Sequence, residues 1–237
     1  MTKKSQNFKR LEQEQNKSQM RILMTIGVVI LAVVALAVLQ GLRGSAPKTL
    51  DLNGQPTMGS KDAKVTVIVF EDFKCPVCKY FDQTIVPEIE EKYIKTGKIQ
   101  YGFRNFMVIS PDGDSKTAAM AGECVYNQNK ELFFPFSHLM YRAQGDESTA
   151  WATKQRILEV ASYVSGPNGE KINNDELGKC IDDKRYEEEV MNDQSVGNNA
   201  GVNGTPTVFV NGVKVEGATT PGSLVKAIDE ALAKAGQ

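Results

Sequence analysis

Histidine and tryptophan occur once each in these 237 residues and cysteine only four times, which leaves little from which to build a metal centre. Structural zinc takes four ligands. Beyond Cys75 and Cys78 the candidates are Cys124, Cys180 and His138, none of them paired at short spacing, so a redox role for the thiols is favoured over a metal site. The carboxylates show no EF-hand spacing for calcium. An excess of charge of one sign is also missing: 28 basic residues face 29 acidic ones, and the chain carries no electrostatic footprint for nucleic acid. It has no internal repeat, and no low-complexity tract beyond one linker.

What is present is a Cys-x-x-Cys pair placed where a strand meets a helix. Val65-Thr66-Val67-Ile68-Val69-Phe70 is β-branched and lacks polar alternation, as in a strand buried on both faces of a sheet. Downstream, Tyr80, Phe81, Ile85, Ile89, Tyr93 and Ile94 recur at helical spacing, which puts the second half of the motif in a first helical turn. Pro76 suits the first helical position, where no N–H is needed. Cys75 then sits at the helix N-terminus as the exposed sulfur. Unpaired N–H groups and the positive end of the macrodipole favour its thiolate, the nucleophile of disulfide exchange. Cys78, one turn on and less exposed, suits the resolution of a mixed disulfide. A purely structural bond between them would close almost no loop and stabilise little. The redox-active disulfide is itself the working group, with no cofactor or metal expected.

The N-terminal part changes character abruptly. Residues 1–21 are polar, with Lys3, Lys4, Lys9, Arg10, Lys17 and Arg21 against Glu12 and Glu14. From Ile22 to Leu39 no side chain is charged and only Thr25 and Gly27 interrupt, an apolar run near the minimum for a bilayer-spanning helix. Arg43 and Lys48 follow it, so the positive-inside rule puts residues 1–21 in the cytoplasm and the remainder outside, facing an oxidising compartment. A cleaved signal peptide is the competing reading, since Ala35-Leu36-Ala37 offers a cleavage site. The long charged leader and the length of the apolar run favour a retained single-pass anchor in the cell membrane over residues 22–39. Residues 40–60, rich in Gly, Pro and Ser, read as a linker.

From residue 61 to 237 the pattern is that of one domain. Lys98 to Ile109 reads as a second strand, parallel to the first across a right-handed crossover whose helix Pro87 is expected to kink. Residues 111–200 are helical: Ala118 to Asn127, Glu131 to Arg142, Thr153 to Val164, Asp175 to Asp182 and Arg185 to Asn198. That is too much helix for a crossover and suggests an inserted helical subdomain. Asn211-Gly212 between two β-rich runs marks a hairpin, with Pro206 at its entry. Pro221 to Ala235 closes the domain as an amphipathic helix.

The strand, Cys-x-x-Cys helix, strand, proline, hairpin and helix resemble the thioredoxin fold. The helical block resembles the insertion of membrane-anchored DsbA-like thiol-disulfide oxidoreductases. The likeness spans roughly residues 55–235 and is strongest at Gly59-Ser60-Lys61-Asp62-Ala63, at Asp72-Phe73-Lys74-Cys75-Pro76-Val77-Cys78 and at Gly201-Val202-Asn203-Gly204-Thr205-Pro206-Thr207. It implies an α/β thioredoxin-like fold with a helical insertion, preceded by one transmembrane helix. It also implies a cis Thr205–Pro206 bond beside the thiols, with Thr205 offering its backbone to an extended substrate. The implied activity is transfer of the Cys75–Cys78 disulfide to cysteines of secreted or exported polypeptides. The implied electron partner is a quinone-linked membrane reoxidase of the DsbB or VKOR type. Three positions depart from the family pattern. Pro76 and Val77 tune the pair, and Val77 stands where strongly oxidising members carry His. Thr205 precedes the proline where the best-known oxidases have Val. Val69 occupies the place of a buried acid, leaving Glu71 or Asp72 to substitute. A reductase or isomerase of the same fold, and a non-catalytic anchored binding module, stay open as alternatives.

Positions similar to Cys124 and Cys180 are paired in some relatives, and an even count outside the cytoplasm favours a structural disulfide over two buried thiols. Such a bond would close about 57 residues, for which chain entropy gives roughly 4 kcal/mol. His138 reads as a packed or surface helical residue and not a base. Trp151 and the Phe133, Phe134 and Phe136 cluster read as core, and Glu187-Glu188-Glu189 as a solvated helix face.

Overall fold

The run after Lys64 forms the middle of a five-stranded sheet. In a computed structural model, which describes residues 50–236, the strands are β1 (Thr57–Gly59), β2 (Val65–Glu71), β3 (Ile99–Asn105), β4 (Thr207–Val210) and β5 (Val213–Lys214), in the order β1-β3-β2-β4-β5. β2 and β3 are parallel in the register Val65↔Ile99, and the other pairs are antiparallel. Val65, Val67 and Val69 enter one buried cluster while Ile68 and Phe70 enter another, which is why β2 shows no polar alternation. Residues 1–21 and the apolar run 22–39 lie outside the described residues. Among the described residues no helix is long and apolar enough to cross a membrane.

The end of the expected linker is structured. β1 lies within it and pairs with β3 at Thr57↔Gly102, and Leu50 and Leu52 pack on the second cluster. Its partner strand is far along the chain, so no local period announces it.

The helix after Cys75, α1, does not break at Pro87. It runs Pro76–Tyr80, widens to a π-helical turn at Phe81–Ile85, returns to α over Val86–Ile89 and widens again at Glu90–Ile94. Proline has no N–H to give its preceding turn, and a wider turn beside it accommodates that loss without a chain break. The insertion follows β3 as α2 (Asp114–Gln128), a short 3-10 turn at Lys130–Leu132, α3 (Phe133–Arg142), α4 (Lys154–Ser162), α5 (Asn174–Asp182) and α6 (Glu187–Ala200). Phe133 and Phe136 are fully buried beside Phe73 and Phe103, with ring centroids 5.0 Å apart for Phe103 and Phe133. α6 covers the opposite face through Gly197, where a Cβ would meet the Phe106 ring at 2.5 Å. Asn211 and Gly212 both take positive φ, 47° and 75°, in the two-residue turn joining β4 to β5. Helix α7 (Ser223–Lys234) packs Leu224, Ile228 and Leu232 into the main core.

Candidate active site

β2 ends at Glu71, and three side chains hold the next four residues in place. Asp72 is fully engaged: one carboxylate oxygen accepts from the Lys74 N–H, the other from the N–H groups of Val108 and Ile109 and from the Ser115 hydroxyl, all at 2.9–3.0 Å. Lys74, 3% exposed, places its ammonium 2.7 Å from Asp114 and 2.8 Å from the Thr149 carbonyl. Gln144 donates to the carbonyls of both Phe73 and Cys75. The insertion thus grips the loop that carries the thiol. No local pattern in the sequence marks Gln144 or the Lys74–Asp114 pair, because their partners are 40 to 71 residues away.

Cys75 caps α1 in an extended conformation with Pro76 at the helix start. It and Cys78 are free thiols. The sequence reading of Cys75 as an exposed sulfur is corrected here: it is 5% exposed and Cys78 is fully buried. The cover comes from the other end of the domain. The Thr205–Pro206 bond is cis, and the Thr205 carbonyl lies 3.3 Å from the Cys75 sulfur, which donates to it in its protonated form.

The two sulfurs differ sharply in acidity. Cys75 is drawn down to about 6, chiefly by a hydrogen bond from the Cys78 thiol. Burial opposes this, while the otherwise unpartnered Thr205 hydroxyl and the N–H groups of Cys78 and Val77 add to it. Cys78 is pushed up well beyond an ordinary thiol by burial and by its bond to Cys75. One sulfur is therefore a thiolate at neutral pH and its neighbour a thiol. Val77 is half exposed and uncharged. With Thr205, Pro206, Lys214 and Val215 it lines an open groove of about 310 Å³, which shares Thr205 with the surroundings of the sulfur.

Of the two acids offered as substitutes for Val69, Asp72 is spent on the loop, and Glu71 is the one whose charge would raise the Cys78 pKa. Glu71 is 4% exposed and its pKa is raised to about 8, by burial first and Asp82 second, with the Tyr141 phenol opposing. His138 is a packed helical residue, as read from the sequence, and it is paired with two carboxylates. Its Nδ1 lies 2.5 Å from Asp82 and its Nε2 3.5 Å from Glu90; burial pulls its pKa down, but the two carboxylates outweigh that and lift it to about 9. Phe133, Phe134 and Phe136 are core. Cys124 on α2 and Cys180 on α5 are joined, S–S 2.01 Å. Among the described residues no group of three or more His, Cys, Asp or Glu is placed to hold a metal ion.

Such a pair, one sulfur acidic and one buried as a thiol near an open groove, has the asymmetry that disulfide exchange uses. Comparison with known proteins agrees. A family model described as thioredoxin matches residues 51–230. The chain is 31% identical over 221 residues to the probable disulfide bond formation protein D of Bacillus anthracis, covering 90% of this chain and 97% of that protein. The crystal structure of oxidised BdbD from Bacillus subtilis superposes with a TM-score of 0.72 at 28% identity, covering 77% of this chain and 95% of that one. α-DsbA1 of Wolbachia pipientis gives 0.64 at 26% identity over 79% and 95%.

Proposed function

We propose, from the premise that this chain belongs to the thioredoxin family and is a DsbA-like thiol-disulfide oxidoreductase, that it oxidises cysteines of exported polypeptides from a membrane tether. Residues 22–39 anchor it, residues 1–21 stay in the cytoplasm, and the domain works on the outer side. The uncharged run and the lysine and arginine excess before it support this topology.

In the working cycle a substrate thiolate attacks Cys75 of the Cys75–Cys78 disulfide. The substrate–Cys75 bond forms, the Cys75–Cys78 bond breaks, and Cys78 leaves and takes a proton. A second substrate thiolate then attacks the first substrate sulfur and Cys75 leaves as a thiolate. The substrate has lost two electrons to the enzyme, and a quinone-linked membrane partner of the DsbB or VKOR type returns the pair to the disulfide. The substrate lies extended across Val77 and the Thr205–Pro206 loop, beside the 310 Å³ groove.

The observation that carries this reading is the asymmetry of the pair. Cys75, at about 6, is a good leaving group and a poor holder of substrate, while Cys78 is too buried to be attacked first. The test is the full chain with Cys78→Ala, expressed in cells and treated with a membrane-impermeant thiol reagent. Covalent adducts between Cys75 and exported proteins, reducible on a gel and formed on the outer face, are expected. A cytoplasmic domain, or a Cys75 that captures nothing, contradicts the reading.

A further inference from the structure

We infer that Glu90, His138 and Asp82, with one water in the small cavity beside Glu71, form the route by which a proton reaches Cys78 from solvent. The inference rests on the exchange chemistry proposed above and concerns a step that chemistry leaves unsupplied. When Cys78 leaves its disulfide it becomes a thiolate with no exposed surface, and a buried unpaired charge is costly. It needs a proton that bulk water cannot hand it directly.

The neighbouring acid with a proton to give is Glu71, which burial keeps largely neutral at pH 7. Having given it, Glu71 is itself a buried carboxylate close to Asp82 and the Cys75 thiolate, and must be reprotonated. Its Oε2 has no hydrogen-bond partner. A cavity of about 10 Å³, the room of one water, adjoins it and is lined by Glu71, Asp82, Tyr101, Ser137 and His138 among apolar neighbours. Asp82 and His138, 2.5 Å apart, form its outer wall. Beyond them Glu90 faces the other ring nitrogen, and both His138 and Glu90 are 26% exposed. A proton on His138 can pass to Asp82, through the water to Glu71 and on to Cys78, while solvent recharges the ring. No group changes its oxidation state.

The parts come from separate elements: Glu71 from β2, Tyr101 from β3, Asp82 and Glu90 from the two π-helical turns of α1, and Ser137, His138 and Tyr141 from α3. The titratable groups facing Glu71 are Asp82, Tyr141, His138, Tyr101 and the two thiols, and those facing His138 are Asp82, Glu90 and, across the cavity, Glu71. An ion pair that merely tied α3 to α1 would hold the fold without affecting the Cys78 proton.

The experiment measures opening of the oxidised full-length protein by a monothiol probe, followed by rapid quench and alkylation from pH 5 to 9.5, with rates expressed per probe thiolate. His138→Gln is expected to slow opening about tenfold at pH 7, a modest share of what positioned proton transfer supplies. His138→Ala is expected to be slowed likewise and to recover with added imidazole. Glu90→Gln removes a carboxylate that raises the His138 pKa, so the fall in rate at high pH should begin at lower pH. The acidity of Cys75, read by alkylation, should stay put in all three. Rates and pH profiles equal to wild type overturn the route, as does a slowed His138→Ala that imidazole does not restore. Should the His138 variants fail to fold, Glu90→Gln decides by its profile alone. A wild-type protein that does not open at all overturns the exchange reading and the route together, whereas an active wild type with indifferent variants overturns only the route.

Discussion

The Cys75 sulfur and the Thr205 carbonyl oxygen, 130 positions apart in the chain, lie 3.3 Å from each other. That contact joins the strand-to-helix turn carrying the thiols to the loop entering the C-terminal hairpin. Only the folded sheet, with β2 between β3 and β4, can bring them together. The carbonyl itself can hold only the protonated sulfur, but the same loop brings the Thr205 hydroxyl, which with the Cys78 thiol favours the thiolate, so acidity at Cys75 is a property of tertiary structure as much as of the helix terminus.

Val77 offers the Cys75 thiolate no charge, and its half-exposed position leaves room for a larger side chain. Val77→His is expected to lower the Cys75 pKa by roughly one unit, since a nearby imidazolium favours the thiolate. A tenfold gain in thiolate stability raises the reduction potential by about 30 mV, to be read from the equilibrium with glutathione. An unchanged potential would mean that position 77 does not reach the sulfur.

Stability should fall as pH rises. Glu71 and Glu123 are both raised from 4.5 to about 8 by burial, so each binds its proton more tightly folded than unfolded. Their contribution is complete below pH 4.5 and lost as pH passes through about 8. His138, held at about 9, extends the loss at its upper end. Melting curves of the oxidised protein between pH 5 and 9, where Cys75 does not titrate and cannot offset the loss, should show the decline, and Glu71→Gln with Glu123→Gln should flatten most of it.

Replacing Cys124 and Cys180 by alanine removes a link between α2 and α5 with a sequence separation of 56. Chain entropy puts the loss at roughly 4 kcal/mol. For a domain of this size that is about 10 °C in Tm. Calorimetry should find this drop while Cys75 alkylation at pH 7 is unaffected.

Lys74→Met alone leaves Asp114 buried without its cation and is expected to cost about 3–5 kcal/mol in denaturant unfolding. Lys74→Met with Asp114→Leu should recover part of that, because neither charge is then stranded while the buried Ala152 N–H still loses its acceptor. If the double variant is no better than the single, the pair is not the source of the loss.

Local pattern carried much of the architecture. The β-branched run of β2, the proline after Cys75, the helical spacing of the insertion and the Asn211-Gly212 turn each signal through neighbours in sequence. What stayed hidden depends on distant partners. β1 is three residues in a Gly- and Pro-rich stretch and exists through its pairing with β3. The pairing of His138 was hidden because its carboxylates come from a helix about 50 residues earlier, where Asp82 and Glu90 lie in its two widened turns. The burial of Cys75 was also illegible, since the Thr205 loop supplies the cover. The hydrogen bond from Cys78 matters more to Cys75 than the helix N–H groups that the motif suggests.

The most direct measurement is the rate of iodoacetamide alkylation at each cysteine of the reduced full-length protein against pH, resolved by mass spectrometry. Cys75 should react with a midpoint near pH 6 while Cys78 stays silent past pH 9. Two thiols titrating together near 9, or Cys78 reacting first, would contradict the assignment of Cys75 as the exchanging sulfur.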